Sequence, residues 1–155
     1  MSMIGAFGIC PKDKYDALMH LIQHDEPGKA EDLIKEIYRE LEEPTEKLKH
    51  GWCSGEIFIA LFHYVELTLG IDVRNGLERF GEIWRETTGD FDVVVFYEAA
   101  PLLSLADAVD FDGLSQFVND FFQADREEAP QAAYGALLNN LKSLGADEVL
   151  IWHLY

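Results

Sequence analysis

Apolar residues recur along the chain at two spacings, and these divide it into helices and short strands. Over residues 29–43, Ala30, Leu33, Ile34, Ile37 and Leu41 return three and four positions apart. Glu31, Lys35, Glu36, Arg39, Glu40, Glu42 and Glu43 fill the other side, which is the pattern of a helix with one buried stripe. Tyr15, Leu18, Met19 and Ile22 repeat the spacing within residues 13–24, and Pro27-Gly28 separates the two helices. Residues 56–69 are apolar on nearly every side (Ile57, Phe58, Leu61, Phe62, Val65) and predict a central buried helix stopped by Gly70. Further helices are predicted over residues 75–87, 99–109 with Pro101 in the first turn, 112–124, and 130–144 with Gly145 as the cap.

Three segments read as strands. Residues 3–10 set Ile4, Phe7 and Ile9 among Gly5 and Gly8, glycines that permit a bulge or the close approach of another backbone. Residues 91–97 are a continuous β-branched and aromatic run suited to a buried strand, and residues 148–155 mix the same residue types at the end of the sequence. The expectation is one α+β domain over residues 1–155, about six helices around a small sheet of about three strands. No internal repeat or linker interrupts it.

Composition supports a folded core, because 48% of the 155 residues are hydrophobic and a chain of this size buries about 70% of its unfolded surface. Charge narrows the partners. A formal net charge of -17 repels phosphate backbones and anionic lipid surfaces, which excludes direct nucleic-acid or membrane binding and favours a basic protein partner. The charge is uneven: residues 86–155 hold 13 acids and only two bases, Arg126 and Lys142. No stretch has the eighteen or so apolar residues of a membrane helix, and residues 1–10 lack the basic flank of a secretory signal. With only Cys10 and Cys53, far apart, no disulfide framework or zinc knuckle is expected, and a cytoplasmic location with reduced thiols follows.

Candidate chemistry is sparse. His20 and His24 lie four apart with Asp25 adjacent, a spacing that can hold a metal ion but supplies no third ligand. The surface edge of a helix explains them more simply. Cys53, near His50, Glu56 and His63, precedes the central helix, whose dipole would favour the thiolate. No nucleophile signature surrounds it, so Ser54 as a helix cap, with Trp52 and Cys53 as packing residues, is the preferred reading. His63 and Glu66 fall in the buried helix and are expected to satisfy each other or nearby backbone. Glu98 follows the middle strand, a common place for a catalytic carboxylate, but capping the next helix accounts for it. Gly5 and Gly8 make no dinucleotide fingerprint, and the acids after residue 106 lack the alternation of a calcium loop. No catalytic, cofactor-binding or metal-ligating residue is assigned, and the chain is read as a non-enzyme.

The opening Met1-Ser2-Met3-Ile4-Gly5-Ala6-Phe7, with Gly51-Trp52 before an apolar helix, is similar to the YfbM-like family of small bacterial proteins. That resemblance implies no activity and carries over no functional residue. In size, acidity and absence of a catalytic motif the chain also resembles bacterial immunity proteins, which neutralise toxins. The expectation is an acidic domain that blocks a basic partner, with Asp107, Asp110, Asp112, Asp120 and Asp125 supplying charge and Phe121 and Trp152 supplying exposed anchors. Two alternatives stand beside it: a homodimer pairing through strand 148–155, and a small thiol-dependent hydrolase built on Cys53.

Overall fold

The strands carry apolar side chains on both faces, and this sets the architecture. A computed structural model of the chain describes residues 5–24, 26–41, 47–48, 55–73, 78–123 and 130–154. Among these are strands β1 (Gly5–Pro11), β2 (Val94–Tyr97) and β3 (Glu148–Leu154). The helices are α1 (Lys12–Gln23), α2 (Pro27–Leu41), α3 (Gly55–Leu67), α4 (Glu78–Thr88), α5 (Ala99–Ser104), α6 (Phe111–Phe122) and α7 (Pro130–Ser143), with a 3-10 turn at Ala106–Ala108. The α+β class is as predicted, and the seven helices among the described residues answer to the seven segments of helical spacing above, one more than the round figure of about six.

The sheet order is β1-β3-β2, with both pairs antiparallel. Alternate residues feed two cores. Phe7, Val95, Tyr97, Leu150, Trp152 and Leu154 pack with α3, α5, α6 and α7 on one face. Cys10, Val94, Phe96, Val149 and Ile151 pack with α1, α2 and α4 on the other. A strand buried on both faces needs apolar residues at every position, which is why the two later strands read as continuous apolar runs.

The topology corrects one expectation directly. The last strand is the middle of the sheet: β1 pairs with it along its whole length, and β2 pairs with residues Leu150 to His153 on the other side. Among the described residues, the terminal strand Glu148–Leu154 therefore offers no free edge to a homodimer or a sheet extension. The outer edge of β2 is engaged as well, where Phe96 N donates to Val73 O at 2.9 Å.

Other boundaries move for local reasons. β2 begins at Val94 because residues before it turn against α4, where a Cβ on Gly81 would stand 2.4 Å from Asp92 O. The predicted helix 99–109 breaks after Ser104, whose Oγ donates to Pro101 O at 2.7 Å and competes for a helical carbonyl. Leu105 N then bonds back three residues to Leu102 O, and the chain continues as the 3-10 turn. Gly70 does end α3 with a left-handed φ of 71°. Gly145 is not a left-handed cap of α7; its N–H donates to Glu148 Oε1 at 2.6 Å in the turn leading to β3. The β1 glycines admit side chains, not a bulge or another backbone: a Cβ on Gly5 would meet the Trp152 ring and one on Gly8 would meet Leu41.

Candidate functional site

Asp110 organises the acidic segment after residue 106. Its backbone is extended (φ -85°, ψ 114°) and its carboxylate accepts from Asp112 N at 3.1 Å, the arrangement of a helix N-cap. From that start, Leu114 and Val118 bury against α3 and α7, and the opposite side of α6 faces solvent. Asp112, Gln116 and Asp120 lie four apart on this outer side, a line about 12 Å long at 1.5 Å per residue. Gln116 Nε2 donates to Asp120 Oδ1 at 2.8 Å, and Asp107 and Asp110 extend the exposed acidic line towards the 3-10 turn.

Two exposed rings stand at the ends of the same helix, on the edges of its buried side. Phe121 is 42% exposed beside His63 of α3, with ring centroids 5.2 Å apart, and it stacks on Phe117. Phe111, 50% exposed, meets Tyr134 of α7 edge-on at the other end of α6. Sequence reasoning missed Phe111, although it stands directly after the cap and before the first buried position of the helix. Trp152 is not an anchor: it is 1% exposed, lying in the core beneath α3 against Phe58, because the central strand that carries it is covered on both faces. The structure exposes Asp107, Asp110, Asp112, Asp120 and Phe121, with Phe121 on the edge of α6 that faces α3 and not among the acids of its outer side, and it buries Trp152, while Asp125 lies outside the described residues.

No described cation neutralises these acids. Lys12 pairs with Asp16 and Glu98, Lys14 with Glu36 and Glu40, Lys29 with Glu26, Lys35 with Glu31, Lys47 with Glu148 and Arg85 with Asp92. Among the described residues no ion pair involves Asp107, Asp110, Asp112 or Asp120. Lys142 lines a different groove with Lys12, Glu98 and Glu148. Asp120 is also placed against local stability: it lies in the last turn of α6, where the carbonyl end disfavours negative charge, and that turn holds no base.

The remaining candidates resolve into structural roles or fall outside the described residues. His24 Nδ1 lies 2.8 Å from His20 O, and the two rings lie 4.0 Å apart, tilted by 32°. Among the described residues no group of three or more His, Cys, Asp or Glu could hold a metal ion. Glu98 occupies the N-cap of α5 without a side-chain cap bond and reaches Lys12 at 3.8 Å instead. Cys10 is fully buried, and desolvation, followed by the nearby Glu40 charge, pushes its thiol up to about 12, so it is no nucleophile. His50, Trp52, Cys53 and Ser54 lie outside the described residues. His63 packs between Phe62 and Phe121.

One pair went unnoticed in the sequence. His153 in β3 is 7% exposed, ringed by Tyr38 and Trp84, and its Nδ1 lies 3.7 Å from Asp90 Oδ2. Burial lowers its pKa, partly offset by Asp90, which favours the neutral imidazole. Its parity with Val149 and Ile151 on the strand was the available signal. Among the described residues no helix is long and apolar enough to cross a membrane. No protein-family model, curated protein or solved structure matches this chain.

Proposed function

We propose that this chain is a non-enzymatic protein-binding domain that docks the acidic side of α6 and the preceding 3-10 turn on a cationic surface of another protein and occludes it. A toxin with a basic active face is the partner class this suits best, and the chain would then act as its immunity protein. The observation that carries the reading is the set of exposed carboxylates at Asp107, Asp110, Asp112 and Asp120, free of ion pairs among the described residues, with the exposed rings of Phe111 and Phe121 at the two ends of the same helix. Clustered charge of one sign raises the encounter rate with an opposite surface by roughly 10- to 1,000-fold. The exposed rings at the two ends of the helix would add rigid contact area to a partner that wraps round α6. Asp120 fits the same logic, since a charge held against helix stability is explained by selection for the surface.

Affinity capture from the native cell tests the reading, with the wild-type chain compared to D107N/D110N/D112N/D120N. Asparagine keeps the helix cap and the shape while removing the charge. The expected result is a strongly basic protein retained by the wild type and lost by the variant, with association slowing steeply as salt rises. Capture of neutral or acidic proteins only, or capture indifferent to the four substitutions, overturns it.

A further inference from the structure

Between the C-terminal end of α3 and the start of α6 runs a groove of about 500 Å³, lined by Tyr64, Leu69, Leu105, Asp110, Gly113 and Phe117. Its volume falls within the range of clefts that hold ligands, about 300–1,000 Å³. The Tyr64 and Phe117 rings meet edge-on at 5.4 Å. Tyr64 is 4% exposed, and its hydroxyl makes no hydrogen bond among the described residues. Next to it the fully buried hydroxyl of Tyr134 has no hydrogen-bond partner either. Both phenols are raised above the usual tyrosine value, Tyr64 by burial and then Asp110, Tyr134 by burial and then Tyr64 and Asp107. The two hydroxyls and two carboxylates thus share one neighbourhood, and of the two phenols it is Tyr64 that lines the groove.

We infer that this groove receives a single arginine side chain of the partner, its guanidinium lying against Tyr64 and Phe117 and pairing with the Asp110 carboxylate. The inference rests on the docking reading above and names the partner group that would register it. Three features favour a cation there. The end of α3 contributes roughly half a negative charge, the aromatic rings attract a cation over their faces, and Asp110 contributes a full charge. The positive end of α6 opens on the same groove, but Asp110 and Asp112 each outweigh its roughly half charge. An apolar side chain would leave Asp110 and the Tyr64 hydroxyl desolvated and unpaired, and a lysine would bring a compact, strongly hydrated charge with no planar face. Arginine combines a flat surface, a permanent charge and five donors, and every free polar group here can accept.

The test uses the isolated chain and no partner protein. N-acetylargininamide, N-acetyllysinamide and N-acetylnorleucinamide are titrated separately, following the backbone and ring resonances of Tyr64, Gly113 and Phe117. The arginine amide is expected to shift these three saturably, the lysine amide more weakly, and the norleucine amide not at all. Y64F should weaken binding by about fivefold, the value of one neutral hydrogen bond, and D110N by roughly tenfold or more, as for a bond to a charged group. Equal binding of the arginine and norleucine amides overturns the proposal. So does an effect spread along all of α6 without saturation, or a D110N variant that binds unchanged. If the groove fails while salt-dependent capture of a basic protein holds, only the arginine site falls. If the groove binds arginine amide and no basic protein is captured, the docking reading is at fault.

Discussion

A Cβ on Gly5 would stand 2.1 Å from Cζ2 of Trp152. Trp152 is the register partner of Phe7, so its indole reaches diagonally along β1 and occupies the space over residue 5. The ring is fully buried and held by Phe58, so it has little room to retreat. G5A is expected to destabilise by about 2–3 kcal/mol, the upper part of the overpacking range. G8A, where the Cβ meets the Leu41 side chain, its Cδ2 methyl at 2.1 Å and its Cγ at 3.3 Å, should cost less because that half-buried side chain can rotate. Urea unfolding of the two variants checks the order, and combining G5A with W152L should cost less than the sum of the singles.

The two ends of α6 predict opposite responses to charge removal. Asp120 lies in the last turn and Asp112 in the first. D120N should stabilise by about 0.3–1 kcal/mol, and D112N should lose a similar amount. Thermal or urea unfolding at low ionic strength reads both, and the two differences should shrink as salt screens them.

Glu148 links the start of β3 to two partners, accepting from Lys47 Nζ and from Gly145 N. The bond from Lys47, then that from Gly145, holds its carboxyl below the usual glutamate range. A depressed acid stabilises the fold above its unfolded pKa, about 4.3, and the gain disappears as pH falls through the folded value. The pair is partly exposed, so solvent screening limits the gain to under about 1 kcal/mol. E148Q should be less stable than wild type at pH 7, and the two stabilities should converge below pH 4.

His153 predicts pH sensitivity at higher pH. Burial lowers its pKa while Asp90 raises it, so the unfolded imidazole, near 6.5, takes up its proton first. This contribution is intact above that value and is lost as pH falls from about 6.5 to the folded pKa, by at most about 1.4 kcal/mol per pH unit. Titration of the imidazole Cε1 proton by NMR should give a pKa below 6.5, and D90N should lower it further. Urea unfolding from pH 7.5 down to 5 should show a steeper loss for D90N.

Much of the candidate surface was legible before the fold was. Asp112, Gln116 and Asp120 lie four apart beside the buried Leu114 and Val118, so helical period alone places them on the outer side. Asp110 was named only as a surface charge, and its role as the cap of that helix came from the structure. Trp152 was misplaced because alternation says that successive strand residues face opposite ways, while exposure depends on what covers each face. His153 was overlooked for the same reason, and the groove beside Tyr64 joins residues some fifty positions apart that no local spacing connects.

Local chemistry along the chain determined the helices, the strands, the α+β class and the excess of acid in the second half, because periodicity, glycine and proline placement and charge act over a few neighbouring residues. Only the tertiary arrangement decided that the last strand is central, that its tryptophan and histidine are enclosed, and that no described base reaches the acids of α6. Those outcomes depend on which distant segments meet, and a strand's pattern records its two faces without naming the neighbours that will lie along its edges.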